Sequence, residues 1–184
     1  LLSDTPTDFV SDRVDVAFRN GRMEDAEIIA RQIIPMQMLV CASPAYRSEH
    51  GLPETVDDLD RHQCINFRFS SGRVFEWEFK EDGRLRKFLP QAALTFNDAD
   101  LVLQSVLAGE GIAQMSGYLI CDAIRTGALV PCLTQSAPDD RGHFICYPSR
   151  QHLPSRARAF IDFMTSKIRS RDLRCLLPEI AICA

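Results

Sequence analysis

The densest stretch of chemistry-bearing residues runs from Asn97 to Ala113, NDADLVLQSVLAGEGIA. Asn97 or Asp98 offers an N-cap oxygen, and Gly109 suits the left-handed position that ends a helix. Ala99, Leu103, Val106 and Leu107 fall on one apolar face between them. A helix started this way presents unpaired N–H groups and the positive end of its dipole, where a small anion or a carbonyl can be held. Holding is a different task from reacting. The sequence has no G-x-S-x-G, P-loop or H-E-x-x-H motif and no Cys–His pairing with a third orienting group. Asp57-Asp58 and Asp139-Asp140 are adjacent carboxylates of the kind that usually stay solvated in loops. The expectation is a binding module with no catalytic residues, no metal and no cofactor.

The cysteines agree with that reading. Cys41, Cys64, Cys121, Cys132, Cys146, Cys175 and Cys183 are scattered, with no C-x-x-C spacing, and His62-Gln63-Cys64 is an isolated neighbour pair. Cys41 and Cys146 sit in apolar runs and read as core thiols, which suits a reducing, cytoplasmic setting without disulfides. No apolar run is long enough to span a membrane, and Leu1-Leu2 passes at once into Ser3-Asp4 rather than into a signal peptide. The start on leucine reads as a piece of a longer protein. A net charge of −4 gives no support for autonomous nucleic-acid binding. The basic residues between Arg156 and Arg174, set against Asp162 and Asp172, read as a solvated helix face and tail.

The elements that must position these residues alternate along the chain. Thr5 to Asp12 suits a short helix with Pro6 in its first turn, and Val14 to Phe18 a strand ended by Arg19-Asn20-Gly21. Gln37 to Ala42 is a continuous apolar run of the parallel-sheet type, broken by Ser43-Pro44. A short helix over Pro53 to Leu59 and a strand over Cys64 to Phe67 follow. Phe75 to Phe79 alternates as a half-exposed strand turning at Asp82-Gly83 into Leu85 to Leu89, which leaves Trp77 as a structural or interface residue on an exposed hairpin. Beyond the opening stretch, Ile112 to Met115 is a strand, and Tyr118 to Thr126 is a helix with Ser116 as N-cap and Gly127 after its end. His143 to Tyr147 is a buried strand closed by Pro148. Ala157, Phe160, Ile161, Met164 and Ile168 define an amphipathic helix led by Pro154.

Two strands end in matching phrases, Cys41-Ala42-Ser43-Pro44 and Cys146-Tyr147-Pro148-Ser149. Two crossings joining two α/β lobes would form a hinge with a ligand cleft between them. One continuous sheet with two unrelated prolines fits the spacing equally well.

A set of phrases in order resolves that choice by resemblance. Val14 to Gly21, Cys41-Ala42-Ser43-Pro44-Ala45-Tyr46 with His50-Gly51-Leu52-Pro53, and Asp58-Leu59 with His62-Gln63-Cys64-Ile65 come first. Asn97-Asp98 with Ala108 to Ala113 follows, then Tyr147-Pro148, His152-Leu153-Pro154 and Arg158 to Phe163. Together, over residues 3 to about 166, the chain resembles the effector-binding domain of LysR-type transcriptional regulators. The resemblance implies an α/β fold of two Rossmann-like lobes joined by two crossover strands, the type 2 periplasmic-binding-protein arrangement. Lobe I would take residues 1–42 and 147–184, incomplete at its N-terminus, and lobe II residues 43–146. It also implies a small-molecule effector in the cleft, self-association as dimer or tetramer, and DNA contacted only through a helix-turn-helix domain outside this chain. Fold alone does not give function. An extracytoplasmic solute receptor of a transporter shares the architecture and is the alternative.

The expected cleft residues are Ser3, Asp4, Thr5, Arg19 and Asn20 from one lobe, and Phe67, Arg68, Asn97, Asp98, Met115 and Ser116 from the other. Arg19, placed at the carboxyl end of a parallel strand, reads as a cleft cation facing an organic acid or as a surface ion pair. Ser3, Asp4 and Thr5 face the cleft or cap a helix. Phe67 is a flat apolar wall or core packing. Asn97 and Asp98 cap the helix and touch ligand, or only cap. Ser116 stands where the family usually has proline, which frees an N–H and adds a hydroxyl beside the cleft; neighbouring Tyr118 touches ligand or only packs its ring.

Overall fold

The structure, a computed structural model, describes residues 8–9, 11–21, 28–138, 140–148 and 153–170. Its strands are β1 (Ala17–Gly21), β2 (Ile28–Pro35), β3 (Met38–Ala42), β4 (Cys64–Phe67), β5 (Trp77–Glu81), β6 (Arg84–Phe88), β7 (Ala92–Phe96), β8 (Ala113–Ser116), β9 (Val130–Cys132) and β10 (Gly142–Pro148). Its α-helices are α1 (Pro44–His50), α2 (Ala99–Leu107), α3 (Gly117–Arg125) and α4 (Ser155–Arg169).

β10 runs through the middle of one antiparallel sheet, ordered β1-β10-β2, and β3 through the middle of another, ordered β8-β3-β9. A parallel pair, β4 with β7, attaches to the second sheet where Ile65 and Gln63 bond across to Ile112 just before β8. That attachment explains Gly111: a Cβ there would sit 2.3 Å from the Gln63 carbonyl oxygen, so the two backbones meet at this distance only over a glycine.

All five residues of β3 are buried, as a continuous apolar run requires, but its ladders to β8 and β9 are antiparallel rather than parallel. The run reports cover on both faces, not strand direction. Val40 and Ala42 face a cluster with Tyr46, Leu59 and Trp77, whereas Leu39 and Cys41 face Val106, Met115 and Ile120. β1 likewise departs from the sequence reading. It spans Ala17–Gly21 and pairs antiparallel with β10, so Arg19 and Asn20 lie within the strand instead of beyond its end.

The hairpin β5–β6 turns at Asp82-Gly83, both with positive φ, as a two-residue hairpin turn demands. Trp77 is 1% exposed, which overturns its placement on an exposed hairpin. Trp77 and Phe79 enter the cluster around Leu59, while Glu78 on the opposite face is covered by Gln114 and Arg141. Strict alternation here marks one buried apolar face and a polar face covered at Glu78 and exposed at Lys80. Ser43-Pro44 opens α1 rather than merely ending β3: the Tyr46 N–H donates to Ser43 Oγ at 3.2 Å, and Pro44 takes the first turn. β2, β7 and β9 have no counterpart among the expected elements, and the short helix of the Pro53 region is a 3-10 helix over Val56–Arg61.

Candidate functional site

A pocket of about 200 Å³ opens between the two sheets. β1 gives it Asn20, and the two strands crossing between the sheets give Met36 and Arg141. From the second sheet come Met38, Gln114, Met115 and Ser116, with Ala99 and Val102 from α2 and Tyr118 and Leu119 from α3. Phe67, Phe69 and Phe75 complete the wall. The chain beyond β4 doubles back through Gly72, with the Phe75 N–H donating to the Phe67 carbonyl at 2.8 Å. That reversal brings the three rings edge to face, at 5.2 and 6.3 Å between centroids.

The polar side chains of Arg141, Gln114 and Ser116 are tied down within the chain. The Glu78 carboxylate receives Arg141 Nε at 3.0 Å and Nη2 at 2.5 Å, a two-pronged ion pair with side chains 8% and 15% exposed. Gln114 fixes Glu78 in turn: its Oε1 accepts from the Glu78 N–H at 2.9 Å and its Nε2 donates to the Glu78 carbonyl at 2.7 Å. Ser116 occupies the N-cap position of α3, but its hydroxyl does not cap it. It donates toward the sulfurs of Met36 at 3.5 Å and Met38 at 3.7 Å.

Among the expected residues, Asn20, Phe67, Met115 and Ser116 line this pocket. Arg19 lies with its guanidinium 5.4 Å above the Phe9 ring, and exposed Arg68 donates to the Gly72 carbonyl at 3.4 Å; the structure brings neither to the pocket wall. Asp98, not Asn97, caps α2, accepting from the N–H groups of Asp100 at 2.8 Å and Leu101 at 3.3 Å. Both are exposed, and α2 reaches the pocket one residue later, through Ala99. The helix end that looked like an anion cradle is thus answered by its own carboxylate. Gly109, with φ +86°, does end this helix region. Ser3, Asp4 and Thr5 lie outside the described residues.

Met36, Met38, Phe69, Phe75, Gln114, Leu119 and Arg141 were not expected here. Strand parity offered a signal for two of them, because Gln114 shares a face of β8 with Ser116, and Met38 pairs directly with Ser116. Tyr118 does more than pack on its own element: its ring meets that of His143, on β10, edge-on at 5.1 Å, linking the two sheets beside the pocket. Burial holds the His143 pKa below the ordinary histidine value, and its Nε2 is buried without a hydrogen bond.

No cysteine stands among the described lining residues. Burial pushes the Cys64 and Cys132 thiols up to about 12 and Cys41 higher still, so these thiols stay protonated. Among the described residues no group of three His, Cys, Asp or Glu could hold a metal, and no helix is long and apolar enough to cross a membrane.

The family model for the LysR substrate binding domain matches residues 2–169. The regulator PgrR of Escherichia coli is 32% identical over 163 residues, covering 88% of this chain and 54% of that protein. The regulatory domain of AphB from Vibrio vulnificus superposes with a TM-score of 0.70 at 27% identity, over 85% of this chain and 76% of the other. CrgA, a LysR-type transcriptional regulator from Neisseria meningitidis, gives 0.66 at 28% identity, over 87% and 54%. The chain spans about half the length of the curated relatives it matches.

Proposed function

The chain belongs to the LysR substrate-binding domain family, and from that premise we propose that it is the sensing part of a transcriptional regulator, holding a small effector between its two lobes. The observation that carries this reading is a pocket lined by Asn20 of β1, by Met36 and Arg141 on the two crossings, and by Met38, Ser116 and Phe67 beyond them. A molecule touching both walls binds one interlobe angle better than another and so shifts the population of angles. Sheet membership supports lobe boundaries set earlier than residues 42 and 146. β3 hydrogen-bonds to β8 and β9, which favours an outward crossing at Met36-Gln37. β10 pairs with β1 and β2 along its length, which favours a return near Arg141.

Self-association and DNA contact belong to the whole regulator, with DNA reached through residues outside this chain. A cytoplasmic location fits the cysteines, which are free thiols at 41, 64, 121 and 132. The relatives are transcriptional regulators by name, which favours the sensing reading over the solute-receptor alternative. Thermal-shift screening of small organic molecules, with Ala99→Phe as a pocket-filling control, tests the site. Stabilisation of the wild type that Ala99→Phe abolishes is expected. Stabilisation unchanged by it places the ligand elsewhere.

A carboxylate effector, the class the sequence suggests, meets an energetic difficulty. Removing a carboxylate from water costs several kcal/mol, roughly. A helix N-terminus returns about 1 kcal/mol, and the guanidinium that could return more is already engaged by Glu78.

A further inference from the structure

We infer that the pocket selects uncharged one- or two-ring molecules bearing a hydroxyl or carbonyl group, and rejects carboxylates, because its cation is neutralised by Glu78 within the chain. This rests on reading the pocket as the effector site.

Arg141 is the one fully charged side chain among the described lining residues. Turning toward an incoming anion would break its two-pronged pair with the Glu78 carboxylate, which is 8% exposed. Glu78 cannot follow it easily, since Gln114 holds the Glu78 backbone by donor and acceptor together. Arg141 is anchored at its own backbone as well: its carbonyl accepts from the Met36 N–H at 3.1 Å, and its guanidinium lies 5.9 Å from the centre of the Phe75 ring. The second positive feature, the start of α2, is occupied by Asp98. What is left is the opening turn of α3, where Tyr118 and Leu119 face the pocket. A partial charge of that kind suits an oxygen lone pair rather than a full anion.

The rest of the wall describes the other end of the ligand. Three phenylalanine rings and three methionines form an apolar surface that favours flat, polarisable groups. Asn20, and the Ser116 oxygen as an acceptor, supply directional hydrogen bonds at the interlobe edge. An engineered cavity of about 150 Å³ in another protein takes benzene. The roughly 200 Å³ here accommodates a substituted ring or a compact bicycle.

The test is calorimetric titration of the full chain with naphthol and with naphthoate, a pair alike in shape and different in charge, near neutral pH. The wild type is expected to bind naphthol about tenfold or more tightly than naphthoate, with an affinity that does not change with ionic strength. Glu78→Gln frees Arg141 and is expected to improve naphthoate binding about tenfold while moving naphthol by less than about threefold. Circular dichroism reports whether that variant folds; if it does not, the wild-type pair decides. Naphthoate bound as well as naphthol, with both lost in Ala99→Phe, overturns the ligand class and leaves the site standing. Binding of neither, or binding indifferent to Ala99→Phe, overturns the site and the class together.

Discussion

The two sheets are built to different standards. Among the described residues, the buried apolar cluster around β10 holds Ile33, Ile145 and Ile161, with Val16, Ile34, Tyr147 and Met164 partly buried against it, while Phe18, Phe160 and Phe163 are 51%, 43% and 58% exposed. Around β3 two clusters press on the two faces of a fully buried strand, and Trp77, Tyr46 and Phe79 are almost completely enclosed. Among the described lining residues the pocket follows that asymmetry, taking most of its wall from the β3 side and Asn20, Met36 and Arg141 from the other side and the crossings. The well-packed half sets the shape a ligand meets. The other half, with fewer described residues against the pocket, suits an interlobe angle that a small molecule can bias.

The contrast is breakable by mutation. Trp77→Ala should cost about 4 kcal/mol in urea unfolding, the loss expected for a large buried aromatic. Phe160→Ala, on the exposed side of α4, should cost less than about 1 kcal/mol; similar values for the two would remove the asymmetry. Gly111→Ala should cost about 2–3 kcal/mol, because its new Cβ forces β4 away from Ile112. A loss below about 0.5 kcal/mol would mean that this junction gives way freely. Asp98→Ala should cost about 1 kcal/mol through loss of the α2 cap, as measured by thermal or chemical unfolding.

The smallest effect concerns protons. Burial depresses the pKa values of His143 and, with His50 and Arg61 nearby, of His62, against an upward pull from Asp58. The unfolded chain binds these protons at about pH 6.5, before the folded chain does. The stability they contribute is therefore complete above that pH and is lost as pH falls through it toward the lower folded values. A drop in Tm of a few degrees, roughly, between neutral and mildly acidic buffer is expected, smaller in His143→Gln. A Tm that rises on acidification would contradict the buried neutral ring.

Much of this architecture was legible in the residues. Asp98, Gly109 and the apolar spacing defined α2, the Asp82-Gly83 turn defined the hairpin, and the ordered phrases gave the two-lobe fold. β2 escaped because Ala30, Arg31 and Gln32 interrupt its apolar ends in a strand that is half covered along its length. β7 has no buried residue to impose a pattern, and β9 is an edge strand carrying Pro131. The site was less legible still. Its central ion pair and the amide that holds it come from positions 78, 114 and 141, and no local spacing joins them. Arg19 looked like the cation of the cleft because a strand end was expected beneath it; one shift of the strand toward the C-terminus moved it into the ladder.

The chain has five methionines, and Met36, Met38 and Met115 are three of them. Thioether methyl groups rotate freely and give narrow magnetic-resonance lines even in large assemblies. With only the methionine methyls carbon-13 labelled, more than half of the signals in the spectrum come from the pocket wall. Ring currents from an arriving aromatic guest would displace those signals first, while Met164 on α4 stays as an internal reference. The wall that sorts ligands by charge is also its own built-in reporter, readable without attaching a dye to the protein.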